Sequence, residues 1–249
     1  MSFLSRALHR LDERAFTQKP PWGGPYLRFR NATSGNSFED FGQGNLLTFK
    51  DCRVELSSFT VMGSNNRVEI DGRSRLRKIR LTICGSNCLI RIGKNVLMDD
   101  VFVWITDNDS EITIGDGSFA QESQIVATDK GCRLNIGADC MIAFGSDVRC
   151  GDGHAVYNVA TGEILNRASF ITIEDHVWLA SESKVLKDVR IGKGSVVAAR
   201  SVVTRDIPAN SLAVGIPARV VRSGINWRRE NIDRLPKDWF VKTETPVTP

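Results

Sequence analysis

This 249-residue chain has three histidines, at positions 9, 154 and 176. They are its only side chains whose unperturbed pKa lies near neutral pH. His154 ends the run Gly151-Asp152-Gly153-His154 in a polar stretch, where no apolar periodicity calls for a packed ring. An imidazole there suits general-base work, the removal of a proton from a group of high pKa during attack. Asp152 stands close enough to orient it, although a turn-forming aspartate is the ordinary reading. His9 reads as a surface residue of a helix. His176, just before Trp178, reads as a structural residue at a strand position.

A second concentration of chemistry lies near the end of the chain. Seven arginines, at 200, 205, 219, 222, 228, 229 and 234, face only Asp206, Glu230 and Asp233. A compact guanidinium cluster suits a small phosphorylated ligand, because Arg binds phosphate through paired charge-assisted hydrogen bonds. Nucleic acid would want a broad basic face with interleaved aromatics. The net charge of +4 is modest, and that pattern is missing.

These residues must be positioned by a repeat. Ile70, Ile92, Ile114 and Ile136 close four similar stretches at a spacing of 22, and the last three open Ile-Gly phrases. After residue 172 the chain reads in sixes, beginning at Ile173, Leu179, Val185, Ile191, Val197 and Val203. Three sixes make one triangular coil of short strands, stacked about 4.8 Å from the next. Inward columns are expected at Val96, Ser118, Cys140, Val177 and Ser195, and at Met98, Ala120, Ile142, Leu179 and Val197. A third is expected at Trp104, Val126, Val148, Val185 and Val203. The extra residues of the longer coils bulge from one corner, and a loop over about 149–169 leaves that corner. Long insertions in repeat proteins gather on one face, often the working one.

The expected organisation has three parts: an N-terminal helix and cap over 1–47, a prism of about seven triangular coils over 48–215, and a tail over 216–249. Phe3, Leu4, Leu8, Leu11 and Ala15 form one helical stripe, which Lys19-Pro-Pro-Trp-Gly-Gly-Pro25 ends. That helix would cap the open end of the prism, or dock peripherally on a membrane or partner. No apolar run is long enough for a signal peptide or a membrane span, so the expected location is cytoplasmic. The six cysteines include no CxxC pair. Cys84 and Cys150 share one column of the repeat, and Cys88 and Cys132 another. They read as reduced thiols filling small sites, with neither disulfide nor metal.

The hexads, together with Ser201-Val-Val-Thr-Arg-Asp-Ile-Pro208 and Gly215-Ile-Pro-Ala-Arg-Val-Val221, resemble the left-handed β-helix (hexapeptide-repeat) acyltransferases. The nearest branch is the maltose/galactoside and surface-polysaccharide O-acetyltransferases. The resemblance covers roughly residues 90–222 and implies an all-β, left-handed parallel β-helix. Ordinary parallel crossovers would be right-handed. It implies acetyl-CoA as donor, a carbohydrate hydroxyl as acceptor, a homotrimer with sites between subunits, and His154 as general base. His154 precedes Ser181 by 27 residues, the family interval between base and first donor contact. Donor contacts fall on Ser181, Ala199, Thr204, Arg205, Arg219 and Arg222, with Trp178 lining the thioester region. The usual Gly-Ala-Gly before Ser201 is Ala198-Ala199-Arg200 here, where Arg200 would crowd the adenine end or add a phosphate contact. The oxyanion would meet a backbone N–H near Ala180-Ser181.

Other readings carry less. An N-acetyltransferase of an aminosugar nucleotide or another small amine would use the same donor motif. A zinc lyase on this fold needs a third histidine, and Val159 and Ser181 stand where it would fall. A non-catalytic assembly role leaves the donor motif unexplained.

Overall fold

The computed structural model describes residues 26–29 and 35–230. The helical stripe from Phe3 to Ala15 lies outside the described residues. Three sheets of eight, nine and eight strands wrap one core; apart from the last strand of the second sheet they are parallel, with adjacent strands coming from successive coils. The result is a β-solenoid of about eight turns, whereas the repeat predicted about seven. The difference lies at the start. Ser37–Asp40 already pairs with Ser58–Val61, and Tyr26–Phe29 pairs with Leu46–Phe49, so strands occupy part of the expected cap region. At the other end, Ala218–Ser223 turns back antiparallel on Ser211–Gly215, so the expected tail extends the second sheet.

Short strands alternate inward and outward, as in Arg67–Ile70 and Arg133–Ile136. The inward positions are mostly Val, Ile and Leu, whose branched side chains pack well on a pleated surface. Ile90, Ile112, Leu134 and Ile171 stack in register at 0 % exposure. The serine places in the first inward column do more than fit. Ser118 Oγ donates to Gly137 O at 2.8 Å and accepts from Cys140 N at 3.0 Å, tying two coils together. Asn66 does the same higher in the stack, where its Oδ1 accepts from Cys88 N and its Nδ2 donates to Gly85 O.

The corners explain the recurring Asn, Asp and Gly. Asn65, Asn87, Asp109 and Gly131 form one column of positive φ (57, 59, 59 and 75°), the conformation those residues tolerate best. The Ile-Gly phrases have a different cause. A Cβ on Gly115 would sit 2.5 Å from Gly137 C, and one on Gly137 would sit 2.6 Å from Asp175 N. Glycine stands there because the next coil leaves no room.

Two column assignments are corrected. The third column runs through Val103 and Ile125, which stand in register with Val148, and not through Trp104 and Val126, which stand in register with Arg149. In these coils the corner from the second sheet to the third is one residue tighter. Met98 to Val103 is five steps, where Ile142 to Val148 is six. Trp104 therefore points outward, with its ring 5.5 Å from Phe102. The same change in count puts Cys150 opposite Ala127, so Cys84 does not share its column. Cys88 and Cys132 do share theirs, as the coil-to-coil bonds Leu89 N to Ser110 O and Glu111 N to Cys132 O require.

Candidate active site

The loop that carries His154 leaves after the strand Asp147–Cys150 and returns into Phe170–Ile173. Arg149 and Cys150 thus remain in the sheet. Within the insertion Leu165 N donates to Val156 O and Asn158 N to Glu163 O, both at 2.8 Å, so the loop is a small hairpin. Asp129, at the corner of the preceding coil, grips its base. One carboxylate oxygen accepts from Gly153 N at 3.3 Å and the other from Ala168 N at 3.2 Å. Gly151 (φ 107°) is needed at this exit, because a Cβ would meet Thr128 Oγ1 at 2.4 Å.

His154 is exposed, and among the described residues its ring has no hydrogen-bond partner. Asp152 does not orient it. The Asp152 carboxylate accepts from Lys187 Nζ and from Asn166 Nδ2 instead. The Lys187 ammonium chiefly, with help from Asn166, holds that carboxyl below the usual range against the opposing effect of burial.

The other candidate residues fall into two groups. Thr204 and Arg205 follow the strand Val202–Val203, at the same corner as the His154 loop and two coils further on, about 10 Å along the axis. Ser181 and Ala199 sit at the opposite edge of that sheet, one coil apart. Trp178 points outward from the adjoining second sheet, between Met141 and Val196. Arg219 and Arg222 are exposed on the antiparallel strand that ends this sheet, opposite Val214 and Leu212. A single chain therefore does not bring His154, Thr204 and Arg205 together with Trp178, Ser181 and Ala199.

The second group has free donors. Ala180 N bonds Val197 O at 2.9 Å, so that amide is used by the coil. Among the described residues the N–H groups of Ser181 and Ala199 have no acceptor. Trp178 Nε1 is buried and also lacks one. Buried donors in a native fold are nearly always satisfied, and of these three only Trp178 Nε1 is buried. Ser181 is half-buried and Ala199 exposed, so their N–H groups are open to solvent or to a ligand's carbonyl oxygen. Arg200 does not crowd it. At φ 60°, in a position that favours glycine, its side chain lies back on Glu182 with bonds of 2.8 and 3.2 Å.

Sequence reasoning missed a clasp at the chain's end. His176 lies at a corner (φ 57°), not on a strand, and stacks on Trp227 with centroids 4.4 Å apart. Trp227 Nε1 donates to His176 O at 2.8 Å. The ring nitrogens of His176 face Asp139 Oδ2 at 2.7 Å and Trp227 O at 3.0 Å. Both partners are acceptors, so both bonds form only when the ring carries two protons. Arg229 adds a bond to the other Asp139 oxygen at 3.1 Å and one to Cys140 O at 3.0 Å. Arg229 thus belongs to the fold and not to a free basic cluster. The only trace in the sequence is Trp227 beside two arginines, which does not reveal its partner 51 residues away.

The described fold is thus a triangular parallel β-helix with one long insertion at one corner and open donors at another. No family model matches the chain. It is 31% identical over 150 residues to a polysialic acid O-acetyltransferase of Escherichia coli O1:K1 / APEC, covering 60% of this chain and 48% of that protein. A polysialic acid O-acetyltransferase of Neisseria meningitidis is 30% identical over 135 residues, 53% of this chain and 60% of that one. The chain thus spans about half to three fifths of the length of the curated relatives it matches. The crystal structure of a polySia-specific acetyltransferase superposes with a TM-score of 0.76 at 28% identity, covering 82% of this chain and 93% of that one. Its structural neighbours are left-handed β-helices, the hand that the family resemblance implied. Among the described residues no helix is long and apolar enough to cross a membrane.

Proposed function

We propose that the protein is an acetyl-CoA-dependent O-acetyltransferase acting on a sugar hydroxyl of a surface polysaccharide or its precursor. The observation that carries this reading is the likeness, along 82% of the chain, to the fold of a polySia-specific acetyltransferase. The two relatives act on a sialic acid polymer by name, so an anionic glycan is the favoured acceptor class. Acetyl-CoA supplies the activated acyl group as a thioester.

The chain's residues divide the work. His154 accepts the hydroxyl proton during attack, as a neutral imidazole can near pH 7. The Ser181 N–H, which has no acceptor among the described residues, receives the charge that develops on the carbonyl oxygen. Ala199 N–H and Trp178 hold the amide-bearing arm of the donor, and Thr204, Arg205, Arg219 and Arg222 hold its polar end. Because the two groups occupy opposite edges of one sheet, two copies complete each site. A cyclic homotrimer, with the His154 loop reaching across, gives three equivalent sites. A cytoplasmic location follows from the donor and accords with six unpaired cysteines.

The test is release of free thiol from acetyl-CoA in the presence of acidic oligosaccharides, neutral sugars, nucleotide sugars and small amines. The expected result is turnover with the acidic glycan and O-acetyl ester in the product. Turnover with amines alone would replace this reading by N-acetylation, and no turnover with any acceptor would sink it.

Arg219 and Arg222 give a narrower expectation. Each exposed arginine–phosphate contact is worth roughly 1 kcal/mol, a factor of about five in binding. Neither residue is placed to touch the reacting carbon, so ground and transition states lose equally. Arg219→Ala and Arg222→Ala should each raise KM for acetyl-CoA several-fold with kcat nearly constant. Both should also discriminate less against dephospho-coenzyme A. An unchanged KM in the double variant would remove these residues from the donor site.

A further inference from the structure

Asn166 lies on the returning arm of the insertion and is half-buried, while Leu165 and Arg167 on either side are exposed. Its side chain spans the loop. The Nδ2 group donates to His154 O at 2.8 Å and to Asp152 Oδ2 at 2.7 Å, and Oδ1 accepts from Val156 N at 2.7 Å. All three bonds land on the outgoing arm, two residues before His154, at it, and two after it. Lys187, from the corner of the next coil, donates to Asp152 Oδ2 and to Asn166 O. Asp129 holds the same loop from the coil before.

The hairpin beyond residue 156 has its own backbone bonds, so Asn166 is not required for the loop to form. Its amide sets the position of the one peptide that carries the imidazole. That matters because the His154 ring itself has no hydrogen-bond partner among the described residues. Its placement must therefore come from the backbone beneath it.

We propose that Asn166 is a positioning residue for His154, anchored through Asp152 to Lys187. It acts through the His154 peptide and touches neither substrate. The proposal rests on the reading of His154 as the general base. Displacing a reacting group by about 1 Å costs up to about 10²-fold in rate. Asn166→Ala should therefore lower kcat by roughly 10–100-fold and leave KM for acetyl-CoA within about twofold. Asn166→Asp keeps the acceptor for Val156 N but loses both donated bonds and sets a second carboxylate against Asp152. It should fall at least as far as the alanine variant.

A double-mutant cycle separates positioning from general support. On a His154→Ala background, Asn166→Ala should cause no further loss, because the group it positions is gone. A kcat within about twofold of the parent in Asn166→Ala overturns the proposal. So does an equal additional loss on the His154→Ala background, which would mark a structural role. If His154→Ala alone keeps its activity, the base assignment fails first, and the positioning role falls with it.

Discussion

His154→Ala is expected to yield a folded protein whose kcat is lower by about 10²–10⁴-fold, the usual contribution of a general base. The imidazole is exposed and without a hydrogen-bond partner among the described residues, so nothing in the coil stack depends on it. Thermal melting should accordingly match the parent. KM for acetyl-CoA should change little, because the donor contacts lie on other residues. The loss belongs to the proton-transfer step, where the neighbouring carboxylate is not free to substitute. Asp152 is committed to Lys187 and Asn166. Steady-state kinetics on the best acceptor decides the matter. Retention of more than about a tenth of kcat would remove His154 from the mechanism.

Gly137→Ala is expected to damage the fold itself. The added carbon would lie 2.6 Å from both Asp175 N and Asp175 Oδ1, and 2.7 Å from Glu174 C. Two of these three atoms are backbone of the neighbouring coil, so no side-chain rotation relieves the contact. The coils must move apart, which also strains the bonds Gly137 N to Ile173 O and Ala138 N to Asp175 Oδ1. Overpacking of this kind costs about 2–3 kcal/mol, or roughly 5–10 °C in Tm for a chain of this size. Gly117→Ala is the control. It adds the same atom at φ 69° with nothing within 4 Å, so only backbone strain of roughly 1 kcal/mol applies. Equal melting temperatures for the two variants would show that coil spacing does not set the glycine requirement.

The coil period was legible because it depends only on local rules. Side chains alternate with a period of two along each strand, and corners need residues that tolerate positive φ or close approach. Ile92, Ile114 and Ile136 with their following glycines state both rules at once, and the insertion stands out as the one gap between Val148 and Ile171. The candidate donor residues came from the resemblance to the hexapeptide-repeat acyltransferases, and spacing could not show that they lie on two different corners.

The tertiary structure decided every feature that depends on which residue lies in the next coil. A corner one residue tighter moved the inward column to Val103 and Ile125. Asp152 found Lys187, 35 residues on, in place of the histidine two residues on. His176 found Asp139 and Trp227, 37 and 51 residues away. In a solenoid, neighbours along the axis are set by the summed lengths of all the corners between them. One insertion changes that sum, so contacts across it can be read only once the coils are stacked.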